Sequence, residues 1–412
     1  LLLHMVTQAD LRRLRELRLF MFASFAMGMG YSIVESIFNN FLNERFFLTG
    51  FERSFLEFPR EIPGCLVSFV SAALFFLCSR RLGALSMALG LIGTLLIGFA
   101  SKTYHIMIGW LFIYSLGQHL FIPLSSTIGM ELADEGRVAR RLGELNAIRN
   151  MAAIVGSFFV FVGFRSLGFT FSHTFLAASF TFLLAALLMM SMRPDRTHHP
   201  RVHLKLHRQY RLYYLLSILY GSRKQIFLTF GPWVLVTVFS QPTQMIAKLL
   251  TIGGIIGILF QPFLGWFIDR AGERITLLLE ALLLIFVCAA YGLAKAIFPE
   301  KVAFLVTCIC FLLDQMLMSV NMARSTYMRK IAVDPSHVQP ALTASVAIDH
   351  VFSITVALVG GIVWNLFGYE YVFLMGSVIA AANFLAAWRV RIPLKGEGGN
   401  DERRTRKVKE VW

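Results

Sequence analysis

Seven ionisable residues sit inside stretches otherwise built from Leu, Ile, Val, Phe, Met, Ala and Gly: Glu35, Arg149, Arg223, Lys224, Asp314, Arg324 and Asp349. A charge at mid-bilayer costs about 2.5–3.5 kcal/mol on insertion scales, so several in one chain imply a wet or paired interior. Amides and an imidazole accompany them at Asn39, Asn40, Asn43, Gln118, His119, Asn146, Asn150, Gln225 and Gln315. The chemistry open to such a set is recognition and proton exchange. Arg149 and Lys224 can hold an anionic group, with Arg223, Asn39, Asn146, Gln118 and Gln315 as further binding candidates. Glu35 or Asp349 can gain and lose a proton, His350 beside Asp349 can relay it, and Asp314 is a third carboxyl candidate. Static ion pairs that merely hold a bundle together would use the same residue types. His119 reads first as an interhelical hydrogen-bond donor.

The elements that must position these groups follow from composition. Of the 412 residues 57% are hydrophobic and only 15% charged, and the apolar runs are about as long as a helix needs to cross a bilayer. Such runs are expected near 19–43, 55–79, 83–100, 105–129, 142–165 and 170–192, then near 210–237, 243–268, 275–297, 302–326, 341–366 and 371–388. That makes an all-α integral membrane protein of twelve transmembrane helices. Residues 1–18 form a cytoplasmic lead-in, 19–192 a first six-helix bundle, 193–209 a cytoplasmic linker, 210–390 a second bundle and 391–412 a basic cytoplasmic tail. Lys and Arg concentrate in alternate loops, which places both termini in the cytoplasm of a cell whose cytoplasmic membrane holds the protein. The formal charge of +15 is explained by that orientation, and a nucleic-acid partner is not expected.

Several other features are read blandly. Arg12 and Arg13 belong to an amphipathic lead-in rather than a twin-arginine export signal. Cys65, Cys78, Cys288, Cys308 and Cys310 lie in apolar segments and act as small packing residues. The histidines 198, 199, 203 and 207 are solvated linker residues, so neither a metal nor another cofactor is expected. No Gly-x-x-x-x-Gly-Lys-Ser/Thr loop is present to bind a nucleotide. Span 2 opens with Pro59, Arg60, Glu61 and Pro63, a candidate kink or gate in which Arg60 and Glu61 take part.

Gapless alignment of the two halves suggests duplication. An offset of 189 brings Tyr31, Ile37, Phe38 and Phe41 onto Tyr220, Ile226, Phe227 and Phe230, and an offset of 200 brings Gly168 onto Gly368. The same offsets set Glu35 against Lys224 and Arg149 against Asp349, opposite charges at equivalent depths. Between spans 8 and 9 runs Gly265-Trp-Phe-Ile-Asp269-Arg270-Ala-Gly272-Glu-Arg274, which resembles the cytoplasmic loop signature of the major facilitator superfamily. Helix count and linker position agree with that family over essentially the whole chain. In the first half Arg80 stands where the signature has an acid. The proline-containing glycine motif that proton-driven exporters of the family carry in helix 5 is absent.

The resemblance implies two six-helix bundles related by a pseudo-twofold axis, with helices 1, 4, 7 and 10 lining a central cavity. It also implies a conformational latch at Asp269, Arg270, Gly265 and Gly272. The expected function is secondary active transport of a small charged or zwitterionic organic solute by alternating access, coupled to a proton, in a monomer that needs only substrate, coupling ion and bilayer. The competing readings are an exporter of amphipathic compounds, drugs or lipids, and, from another class, a transporter-like receptor or a membrane enzyme.

Overall fold

A computed structural model describes residues 8–74, 76–134, 137–194, 207–334 and 337–391. The linker histidines 198, 199 and 203 and the tail beyond residue 391 lie outside the described residues. Everything regular among them is helical. The first half contains α1 (Gln8–Phe46), α2 (Gly50–Phe55), α3 (Glu57–Ala73), α4 (Ser79–Ala100), α5 (Tyr104–Glu131), α6 (Val138–Ser166) and α7 (Phe171–Ser191). The second contains α8 (Arg211–Thr237), α9 (Thr243–Ile297), α10 (Glu300–Met318), α11 (Asn321–Ile331), α12 (Val338–Phe367) and α13 (Tyr369–Trp388).

Among the described residues, nine helices are long and apolar enough to cross a membrane. The remaining crossings are each explained by local chemistry. Helix α3 has 17 residues and completes its span by joining α2 through Leu56. Helix α8 is interrupted by Arg223 and Lys224. Helix α9, with 55 residues, holds two spans folded about Gly272, whose φ of 81° and ψ of 161° lie in a region essentially reserved for glycine. The described helices are thus consistent with twelve crossings.

Chain punctuation follows capping rules. Thr49 and Glu52 form a reciprocal capping box that starts α2, Thr103 caps α5, and Thr170 with His173 caps α7. Gly168 and Gly368, equated by the repeat, both adopt positive φ and close the turns after α6 and α12. The second span differs from the sequence expectation of 55–79. It begins at Gly50 and ends by Ala73, because the apolar residues Leu74, Phe76 and Leu77 lie in turn or bend rather than in a last helical turn.

Within the first half α4 packs on α5 and α7, and α1 on α6 and α7. Small residues let these axes approach. A Cβ on Gly93 would stand 2.6 Å from the Tyr114 backbone. The halves meet along two seams, α2 and α3 against α12, and α6 against α9. Aromatic side chains fill each half, Phe41, Phe175 and Phe182 in the first and Phe227, Tyr291 and Phe373 in the second, while Trp233 of the second half packs into the core of the first.

Candidate solute cavity

Between the halves lies a cavity of about 500 Å³, within the size range of small-molecule sites. Helices α1, α3, α5 and α6 supply one wall through Tyr31, Glu35, Arg60, Tyr114, Gln118 and Asn150. Helices α8, α9 and α10 supply the other through Phe227, Phe311, Asp314, Gln315 and Gln261. Glycines 253, 254 and 257 thin the α9 wall, and nothing lies within 4 Å of where a Cβ on Gly257 would be. Tyr31 meets Tyr114 edge to face at 5.3 Å between centroids, and its buried hydroxyl has no hydrogen-bond partner among the described residues. The lining is thus aromatic at its faces and amide-rich between them.

The charges are paired, and the pairing is local to each half. In the first, Arg60 donates to Glu35 at 2.8 Å and lies 3.7 Å from Glu57. Fully buried Arg53 donates to Glu57 at 2.7 Å and to Asn39 at 2.8 Å. In the second, Arg223 bonds Asp314, Lys224 bonds Asp349 at 2.7 Å, and Arg324 bonds Glu280 at 2.6 Å while lying over the Tyr220 ring. Among the described ion pairs, His350 with Glu61, 2.6 Å apart, joins the two halves.

That contact sits near mid-span, and others lie beyond it. Asn40 donates to the Gln241 carbonyl at 2.9 Å, the Phe51 amide to Asn365 at 3.2 Å, Gln225 to Glu57 at 3.1 Å and Thr251 to Ser157 at 2.9 Å. A Cβ on Gly254 would meet Ile154. All of these lie in the halves of the helices remote from the chain termini. Toward the termini the seams part: Gly143, Asn146, Ala147 and Arg149 on α6 are exposed, as are Asp269 and Arg270 on α9. The contacts between the halves thus thin out toward the end that carries the termini.

Of the binding candidates read from sequence, Gln118 and Gln315 line this cavity. Asn39 is buried behind it, held by Arg53. Arg149 is exposed and bonds Asn146; Lys224 and Arg223 are taken up by Asp349 and Asp314. Glu35 and Asp314 reach the cavity, whereas Asp349 and His350 lie at the α12 seam, with His350 turned to Glu61. Arg60 lines the cavity and Glu61 faces the seam. Asp269 makes no ion pair among the described residues, Arg270 lies over Trp266, and neighbouring Glu273 bonds Lys330 at 2.6 Å. Arg53 and Glu57, central to the network, were not singled out. Their i, i+4 spacing was the available signal, hidden because Arg53 was placed outside the span.

Two helical bundles around one central cavity, joined most closely away from the termini, are the architecture of alternating-access membrane transporters. The family comparison agrees, matching residues 20–332 and 213–412 to the Major Facilitator Superfamily, and the chain belongs to that superfamily. Its fold is similar to that of the nucleoside transporter NupG, with a TM-score of 0.72 and 14% identity over 91% of this chain and 100% of that one. It is also similar to the inward-open xylose transporter XylE from E. coli, at TM-score 0.68 and 14% identity over 92% and 97%. A third likeness is to a bacterial homolog of the human lysosomal transporter Spinster in an inward-facing, unoccupied conformation, at 0.68 and 13% over 91% and 97%. No curated protein sequence matches.

Proposed function

We propose that this chain is a secondary active transporter of a small polar solute, neutral or zwitterionic, that moves by alternating access and couples transport to a proton on Glu35. The observation that carries the reading is the cavity itself. Its two carboxylates, Glu35 and Asp314, are each matched by an arginine, so the lining has no spare charge to attract a net ion. Amides and aromatic faces remain, which suit a compact solute bearing hydroxyls or a flat ring. This narrows the anion site expected at Arg149 and Lys224, because neither residue lines the cavity.

Glu35 is the carboxylate better placed for coupling. Its side chain is 38% exposed toward the cavity, whereas Asp314 is buried at 1%. Protonating Glu35 would release Arg60 to the remaining acid Glu57 and to bound solute, tying proton uptake to a change in the α1 to α3 contact. With Lys and Arg concentrated toward the termini, where contacts between the halves thin out, the cavity would open to the cytoplasm.

Reconstituted vesicles would be offered labelled pentoses, nucleosides and zwitterionic amino compounds under an imposed proton gradient. Wild type should accumulate one class above equilibrium. Glu35→Gln should still exchange that solute across the membrane but fail to concentrate it. Accumulation that persists undiminished in Glu35→Gln would remove the coupling assignment, and exclusive capture of strong anions would restore the Arg149 and Lys224 reading.

A further inference from the structure

Glu61 on α3, His119 on α5 and His350 on α12 each present one ligand atom, and these atoms all lie within 4.8 Å of one another. Two come from the first half and one from the second, near the middle of their spans. We propose that they form a binding site for a borderline divalent transition-metal ion, typified by Zn²⁺, which staples the two halves together in the state described here.

The donor set is the first argument. Two imidazoles and one carboxylate suit Zn²⁺ and its neighbours, whereas Ca²⁺ and Mg²⁺ select oxygen donors. Three protein ligands leave a fourth position for water. In a tetrahedral site with bonds of about 2.0–2.1 Å the ligand atoms stand about 3.3 Å apart, so closing the cluster takes side-chain rotations of about 1.5 Å.

Orientation is the second. The His119 Nδ1 lies 3.0 Å from the Ser115 carbonyl, an acceptor that fixes the proton on Nδ1 and leaves the Nε2 lone pair free. Such an outer hydrogen bond is the usual support of a metal-bound imidazole. His350 Nδ1 lies 2.6 Å from Glu61, a contact that metal binding would replace as both side chains turn to the ion. The rings converge, with centroids 5.2 Å apart.

Space is the third. The rings close over Gly64, where an added Cβ would stand 2.8 Å from His119 Cδ2, 2.8 Å from His350 Cε1 and 2.9 Å from His350 Nε2. A residue with any side chain would push the imidazoles apart. Arg60, next to Glu61 in sequence, forms its ion pairs with Glu35 and Glu57. The side chains of Glu61 and His350 are 17% and 18% exposed, sheltered yet reachable by an ion.

This inference stands apart from the choice of solute and coupling ion, and its test needs no transport. The full chain in detergent, stripped with chelator, would be titrated with Zn²⁺ while its melting temperature is followed, and with Co²⁺ while visible absorption is recorded. Wild type should bind one equivalent at this site, with a raised melting temperature. His119→Gln and His350→Gln should each weaken binding at least tenfold, while His207→Gln and His337→Gln, a stacked pair elsewhere, should not. Gly64→Ala keeps all three ligands yet should also weaken binding tenfold, and it serves if a histidine variant fails to fold. No saturable binding in wild type, or binding that survives in both histidine variants or in Gly64→Ala, would overturn the site.

Discussion

Arg324 and Glu280 show how much depends on single partners. Both are almost fully buried and bonded at 2.6 Å, and Arg324 also rests on the Tyr220 ring at 4.2 Å. Removing one member leaves the other charged and unpaired, so Glu280→Gln should destabilise the protein by about 3–5 kcal/mol, read from chaotrope unfolding in detergent. A double change of both residues to apolar groups of similar volume should recover most of that loss. The existence of these buried charges could be read from sequence, because ionisable residues inside apolar runs stand out. Their partners could not. The repeat set Glu35 against Lys224 and Arg149 against Asp349, but a linear offset carries no helical rotation, and Glu35 turns instead to Arg60 and Lys224 to Asp349.

At the level of the helix, the three turn glycines differ in what they demand. Gly272 and Gly368 combine positive φ with ψ of 161° and 166°, a region only glycine occupies comfortably, whereas Gly168 has φ 64°, within the left-handed range that asparagine tolerates. Gly368→Asn should therefore cost about 1–3 kcal/mol and lower the melting temperature clearly. Gly168→Asn should cost less than half as much. The helix inventory was legible because most crossings are long apolar runs, and the matched glycines 168 and 368 were legible through the repeat. The register of the second span was not. Hydropathy cannot tell that apolar Leu74, Phe76 and Leu77 leave the helix, nor see that the polar Gly50–Phe55 segment folds as a helix capped by Thr49 and Glu52.

For the whole molecule, the seam between α6 and α9 offers a direct readout of state. Cysteines at Ile154 and Gly254, where a Cβ on the glycine meets the isoleucine side chain, should cross-link readily under oxidation in the conformation described. Transport should stop on oxidation and return on reduction; a cross-linked protein that still transports would mean that this seam does not open. The cavity was foreseen in outline from the family resemblance, yet its true lining waited on the rotation of each helix. The confinement of strong ion pairs within halves bears on biogenesis as well. A half that neutralises its own buried charges leaves the insertion machinery without awaiting a counter-ion from the other. Residues 1–200 and 201–412, co-expressed as separate polypeptides, should therefore each insert and then assemble into a working pair, detectable by co-purification and solute uptake.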